Sequence, residues 1–130
     1  MLRYTMTRIK GPIESLAEVQ QLVAEGRIEF TRSARDDLAA HFLTARSGKA
    51  KAIQAFAALS SDDYDHSVHL PNPPAKCDVY GLHFESVQWY IKFYADNDCE
   101  PPYDPYLQVV SFHEERGSFL LTARRKVVLP

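Results

Sequence analysis

The eight residues 87–94, Val-Gln-Trp-Tyr-Ile-Lys-Phe-Tyr, show the cleanest alternation of apolar and polar side chains in the chain. Because successive side chains of a β-strand point to opposite faces, this segment predicts a strand with one apolar face. The side chains expected to face a core are Trp89, Ile91 and Phe93. The opposite face carries a polar row made of Gln88, Tyr90, Lys92 and Tyr94.

Other segments of the second half have the same strand-like composition. They are rich in aromatic and β-branched residues and lie at 64–70, 77–84 and 106–112, with a possible last strand at 118–128. Turn-forming Pro, Asn and Asp residues separate them at 71–74, 96–98 and 101–105. The second half therefore predicts several sequential strands.

The first half is mostly helical. Ser15 and Glu18 have the spacing of a capping box, and the helix that follows is expected to stop at Gly26. Residues 27–31 alternate and predict a short strand. Ser33 and Asp36 repeat the cap spacing for a second helix.

Ser47 and Gly48 are expected to break that second helix, and a third should run from Lys49 to Ser60. Helices followed by sequential strands are typical of an α+β domain. We expect two or three N-terminal helices packed on an antiparallel sheet of about four to six strands. The whole chain, 1–130, is predicted to be a single domain.

Composition narrows the class of protein further. The chain has 45% hydrophobic and 12% aromatic residues, which excludes a disordered chain. No apolar run approaches the roughly 20 residues of a membrane span, and no secretory signal is visible, so a cytoplasmic protein without membrane attachment is expected. Residues 1–60 hold nine basic and six acidic residues, whereas residues 61–130 hold six and eleven. This balance argues against a strongly electrostatic nucleic-acid binder.

Motifs for phosphate loops, zinc proteases and serine hydrolases are absent, and no metal or cofactor is expected. The candidate chemistry is histidine in the strands, at 66, 69, 83 and 113. His66 and His69 should point to opposite faces of their strand, so they cannot chelate a metal without a bulge. An imidazole suits proton transfer near neutral pH, although each histidine alone is more often a plain strand residue.

The polar row admits two interpretations. It is either an ordinary solvated sheet face or a surface on which a base stacks and a phosphate is held. A basic stretch near the C-terminus, which includes Arg124 and Arg125, has the same two interpretations. Cys77 is by default a small hydrophobe, either buried or semi-exposed.

Several of these segments together resemble one family. The run SLAEVQQLVAEGRIEFTRSAR at 15–35 resembles the opening of MqsR-type toxins. The stretches LSSDDYDHSV at 59–68, DVY at 78–80, WYIKF at 89–93 and VVSFHEE at 109–115 follow in the order of that family's later motifs. The resemblance covers residues 15–115 and implies a RelE-like α+β fold. It also implies an mRNA-cleaving toxin held inactive by an antitoxin protein.

The resemblance assigns roles to particular residues. Tyr90 falls on the family's functional tyrosine, and Lys92 follows it as in the pattern. The two functional lysines fall on His66 and His113, and the functional glutamine falls on Cys77. An alternative match takes 119–126 as the last strand, which puts Arg124 or Arg125 in the place of His113.

The leading hypothesis is therefore a ribonuclease toxin of a type II toxin–antitoxin system that uses metal-free acid/base catalysis. His66, Tyr90 and His113 would be catalytic. The substrate-binding candidates are Lys92, Cys77, Gln88, Arg124 and Arg125. Its expected partners are RNA, either free or on the ribosome, and a cognate antitoxin. One alternative is a catalytically degenerate RelE-like protein that grips a protein partner, and another, with less support, is a small-molecule hydrolase.

Overall fold

The computed structural model describes residues 7–71, 74–96, 105–117 and 125–130. In chain order the elements are β1 (Thr7–Ile9), α1 (Leu16–Ala24), β2 (Ile28–Phe30), α2 (Arg32–Phe42), α3 (Ala45–Ala58), β3 (Tyr64–Pro71), β4 (Pro74–Phe84), β5 (Val87–Asp96) and β6 (Tyr106–Glu114). A 3₁₀ turn at Ser61–Asp63 leads into β3. The fold class is α+β, and all three described helices precede β3. Two short strands, β1 and β2, are interleaved with them, which the sequence indicated only for β2.

The strands of the described residues form one six-stranded sheet in the order β1-β3-β4-β5-β6-β2. Its strand pairs are antiparallel except at one edge, where β2 lies parallel to β6. The expected sheet size is confirmed, and the expected antiparallel pairing is corrected at this edge. β2 can pair in parallel because the long stretch from α2 to β5 separates it from β6 and supplies the crossover.

The first helix begins where the sequence predicts, since the Ser15 hydroxyl accepts a hydrogen bond from the Glu18 amide at 3.4 Å. The cap of α2 is Thr31 and not Ser33. The Thr31 hydroxyl accepts from the Ala34 amide at 3.2 Å and donates to the Val110 carbonyl at 2.8 Å. Tertiary contact with β6 therefore selects the start of α2.

The break between α2 and α3 also differs from the prediction. Leu43, with φ of 75°, ends α2, and the Thr44 hydroxyl caps α3 by accepting from the Ser47 amide at 3.0 Å. Gly48 lies inside α3, where an added Cβ would sit 2.6 Å from the Leu38 Cβ. This glycine permits close approach of two helices and does not interrupt one.

The helices cover one face of the sheet with an aromatic core. Its largest fully buried side chains include Trp89, Tyr80, Phe56, Phe84, Phe93 and Phe112. The Phe93 ring stacks on Tyr80 with 5.5 Å between centroids and meets Phe56 edge-on at 5.4 Å. The prediction that Trp89, Ile91 and Phe93 face a core is confirmed, because each is at most 1% exposed.

The predicted last strand at 118–128 falls mainly on residues 118–124, which lie outside the described residues. In residues 125–130, Lys126 forms an isolated parallel bridge to His83, and the Val127 amide donates to the His83 carbonyl at 2.8 Å. Residues 125–130 thus run beside the C-terminal end of β4. None of the described helices has the length and apolar character that crossing a membrane requires.

Candidate functional site

Sheet register brings four of the predicted site residues to the face opposite the helices. Val79 of β4 is paired with both His66 and Lys92, and Tyr90 is paired with His113. Paired residues of neighbouring strands project from the same face, as do residues two apart on one strand. His66, Tyr90, Lys92 and His113 therefore share one face, which we call the site face.

On the site face the two imidazoles stand on either side of the polar row. His66 lies on β3 and His113 on β6, so their backbones are separated by about 14 Å across the strands, the width of three strand spacings, and are also offset along them by two residues. Tyr90 and Lys92 occupy β5 between them.

His66 is oriented by its neighbour in sequence. Adjacent strand residues normally point to opposite faces, but the β3–β4 register shifts between Tyr64 and His66. The shift allows the Asp65 carboxylate to lie 2.6 Å from Nδ1 of His66, and the Asp65 side chain has no exposed surface. Because a carboxylate only accepts, Nδ1 carries the proton and Nε2 is left for chemistry.

His113 also carries its proton on Nδ1, but the acceptor is a backbone carbonyl and not a carboxylate. Its Nδ1 donates to the Glu114 carbonyl at 2.7 Å, and its ring stacks on Tyr90 with 4.9 Å between centroids and 9° between planes. His113 also lines a cavity of about 230 Å³ together with His41 and Arg116. Both imidazoles of the site face thus have Nδ1 committed to an oxygen acceptor.

Burial sets the protonation of the residues between the imidazoles. Burial, with smaller effects of Cys77 and Asp65, raises the pKa of Tyr90 to about 12. Tyr90 is therefore a neutral phenol at physiological pH. Burial also lowers the pKa of Lys92, whose Nζ lies 5.8 Å from the centroid of the Tyr90 ring.

Cys77 lies on the site face two residues along β4 from Val79 and has no exposed surface. Burial raises the pKa of its thiol to about 12, so the thiol is uncharged at neutral pH. A side chain without accessible surface does not reach a substrate in this conformation. Cys77 instead packs beneath the site face.

Of the other predicted binding residues, Gln88 shares the site face with Tyr90, two residues further along β5, and Arg125 does not. Gln88 is partly exposed at the end of β5, where its carbonyl accepts from the Glu115 amide at 2.7 Å. Arg125 is bound on the helix side of the sheet, because its guanidinium donates to the buried Asp63 carboxylate at 2.9 Å and to the Ala58 carbonyl at 2.7 Å. Arg124 lies outside the described residues.

Asp65 is the residue that sequence reasoning missed. It was not among the candidate catalytic or binding residues derived from the sequence. The one signal that pointed to it is an Asp directly before a strand histidine, and that signal becomes informative only if a bulge is known. The bulge arises from strand pairing, so the sequence did not reveal it.

This arrangement can exchange protons on both sides of a bound group. Each imidazole presents Nε2, which accepts a proton when neutral and donates one when charged. Lys92 and the Tyr90 hydroxyl supply positive charge and a hydrogen-bond donor between them. Among residues 7–71, 74–96, 105–117 and 125–130, no three His, Cys, Asp or Glu side chains are grouped so as to hold a metal ion.

Comparison with known proteins supplies no family. No protein-family model matches the chain, and a search of curated proteins finds no match.

Proposed function

We propose that this chain is an endoribonuclease that cleaves mRNA by acid/base catalysis on the site face. The observation that carries the proposal is the matched pair of imidazoles, His66 and His113, which flank Lys92 with Nδ1 of each bonded to an oxygen. RNA cleavage needs a base, an acid and positive charge at the phosphate. The site face offers one group for each task.

His66 is the general base of the proposed reaction, because the Asp65 carboxylate fixes its tautomer and stabilises the imidazolium that forms. Its Nε2 takes the proton of the ribose 2′-hydroxyl. The 2′-oxygen forms a bond to phosphorus, and the bond from phosphorus to the 5′-oxygen breaks. His113 gives its Nε2 proton to the departing 5′-oxygen, which leaves a 2′,3′-cyclic phosphate.

Lys92 and Tyr90 hold the phosphate between the two histidines. The Lys92 ammonium stabilises the negative charge that develops on the non-bridging oxygens. The neutral Tyr90 hydroxyl donates to the same group, and its ring orients His113 by stacking. The low exposure of Tyr90 and Lys92, 4% and 8%, reduces solvent screening of these interactions.

The biological setting of the proposal comes from the resemblance to MqsR-type toxins. We propose a RelE-like toxin of a type II toxin–antitoxin pair, acting in the cytoplasm on mRNA and neutralised by a cognate antitoxin protein. The α+β fold, with helices on one face of the sheet and the polar row on the other, supports this proposal. Growth arrest on expression, relieved by an antitoxin encoded next to the toxin, is the expected cellular result.

The direct test is cleavage of mixed RNA by purified protein in a chelating buffer, with and without ribosomes. We expect products with 2′,3′-cyclic phosphate ends. His66→Ala and His113→Ala should each lower the rate about 10²–10⁴-fold, the usual contribution of one proton-transfer group. The rate should have a bell-shaped pH dependence, because one imidazole must be neutral and the other charged.

His69→Ala is the matched control, since His69 is exposed on the same strand as His66 but outside the site face. This variant should retain the wild-type rate. Intact RNA after incubation with wild-type protein, in both the free and ribosome-bound forms, would overturn the nuclease proposal. So would equal losses in all three histidine variants.

A second function, a catalytically degenerate protein that grips a protein partner, is favoured by one observation. Residues 61–130, which contain the whole site face, hold eleven acidic against six basic residues. A segment with this charge balance disfavours RNA and favours a basic protein partner. Tight binding of an antitoxin-like basic peptide by a protein that leaves RNA intact would select this function.

A further inference from the structure

A second feature of the site face is a groove near the proposed catalytic residues. It has a volume of about 480 Å³, and the residues that line it include Leu70, Tyr94, Gln108 and Val110. Tyr94 follows Lys92 by two residues on β5, so the groove begins about 7 Å along the strand from the lysine. This volume falls in the usual range for small-ligand sites of about 300–1,000 Å³.

The chemistry of the groove differs from that of the catalytic residues. Tyr94 and Gln108 are paired across β5 and β6, which sets an aromatic ring beside a side-chain amide. The described lining residues carry no charged group, and Leu70 and Val110 supply apolar walls. A neutral flat ligand with polar edges fits such a groove, whereas a phosphate or a charged side chain would lack a counter-ion.

The Gln108 amide is available for a ligand. Its side-chain hydrogen bond is long, with 3.5 Å from Nε2 to the Val109 carbonyl. A side-chain amide has both donors and acceptors, so it can read two adjacent polar atoms on a base edge. An aromatic ring binds any nucleobase by stacking, and the amide next to it adds discrimination among bases.

We infer that this groove is a nucleobase subsite, in which the base of a nucleotide next to the scissile phosphate stacks on Tyr94 and has its edge read by Gln108. The inference rests on the proposed nuclease function and names the part of the RNA that selects the cleavage position. When an RNA phosphate is bound at Lys92, the next base of the RNA lies near Tyr94, because Lys92 and Tyr94 are two residues apart along β5.

The test measures binding without cleavage. The probes are short RNAs with 2′-O-methyl groups, which lack the 2′-hydroxyl that attacks, carrying 2-aminopurine at one position. We expect stacking to quench the probe fluorescence in the wild type. Tyr94→Leu should weaken binding at least about fivefold, since one base stack is worth about 5- to 150-fold, whereas Tyr94→Phe should keep the stacked complex.

Gln108→Leu should keep the quenching but reduce the spread of affinities among the four bases. Gln21→Leu, an exposed amide on α1, is the matched control and should bind as the wild type does. Thermal unfolding of each variant verifies that it folds. Unchanged affinity in Tyr94→Leu, or displacement of the probe by an apolar peptide but not by a nucleoside, would overturn the subsite.

Failure of the subsite and failure of the nuclease can be told apart. Cleavage of RNA at the same positions and rates by Tyr94→Leu and wild type would overturn the subsite and leave the nuclease standing. Probe quenching that depends on Tyr94 in a protein that leaves natural RNA intact would support the subsite and refute the nuclease.

Discussion

Phe93 and Lys92 are adjacent on β5, and their side chains project from opposite faces of the sheet. Phe93 stacks on Tyr80 and contacts Phe56 edge-on, and the burial of these aromatic rings stabilises the folded protein. Lys92 is also buried, but burial lowers its pKa, which means that its charged form loses solvation there. The helix-covered face thus stabilises the fold, while the site face holds polar groups at a cost in stability.

The comparison explains why the site is assembled on this face. Polar groups persist on this face because they have hydrogen-bond partners, as the buried His66 has in Asp65 and the partly exposed His113 has in the Glu114 carbonyl. Groups held in this way are oriented before a substrate arrives, and such preorganisation is what catalysis by fixed dipoles and charges requires. Substitutions confined to one face should therefore affect either stability or activity.

The largest expected effect is on activity, from Asp65→Asn on the site face. The amide no longer fixes the tautomer of His66, so we expect the cleavage rate to fall by about 10²-fold or more. A steady-state assay over a range of pH measures this, and the limb of the profile that reports the base should change shape. A fall in stability with an unaltered profile would show that Asp65 is structural only.

On the opposite face, Phe93→Ala should destabilise the fold by about 3–5 kcal/mol, the usual cost of removing a buried ring. This is a large part of the roughly 5–15 kcal/mol by which a domain is stable. Chemical denaturation measures it. The control, Leu43→Ala, removes a side chain that is 91% exposed and should change stability by less than about 0.5 kcal/mol.

Gly48→Ala tests the layer that covers the core. Alanine favours helices over glycine, but its Cβ would meet the Leu38 Cβ at 2.6 Å. We therefore expect a net loss of about 1–3 kcal/mol, as in other overpacked interiors. Increased stability in denaturation experiments would show that α2 and α3 separate without cost.

Lys92→Met on the site face should have the opposite sign and raise stability by about 0.5–2 kcal/mol. The pKa of Lys92 is lower in the folded protein than its ordinary 10.5, so the unfolded chain binds more protons between the two values. The free energy of unfolding of the wild type should therefore rise with pH across that window. The variant should lack this pH-dependent contribution. The same variant should lose cleavage activity.

The smallest effect is expected in the turn that joins the two central strands. Glu85 and Ser86 connect β4 to β5 with φ of 53° and 60°, a conformation that side chains disfavour. Ser86→Gly should raise stability by about 0.5 kcal/mol, because relief of strain exceeds the added freedom of the unfolded chain. A thermal melt with a lowered midpoint would contradict this.

The regular elements were largely predictable because their signals are local. The capping residues of α1 and the alternation along residues 87–94 identified a helix and a central strand with the correct buried face. Errors occurred where a distant contact chose between local options. Thr31 replaced Ser33 as the cap of α2 because its hydroxyl also reaches β6, and Gly48 lies within α3 because Leu38 packs on it.

The candidate site was predictable to a different degree. Alternation alone could place Tyr90 and Lys92 on one face, since they are two residues apart. The role of Asp65 and the stacking of His113 on Tyr90 depend on strand partners, which the sequence does not encode locally. The position of Arg125 beside Asp63 is a contact between residues 62 apart in sequence, and only the folded chain reveals it.

By itself, the sequence determined the α+β class, the strand faces and the types of residue available for chemistry, because periodicity and composition act over a few residues at a time. Tertiary structure decided the parallel edge strand, the bulge that joins Asp65 to His66, and the placement of two imidazoles on either side of a lysine. Those features follow from the register between strands far apart in the chain, which is set by the packing of the whole sheet against its helices.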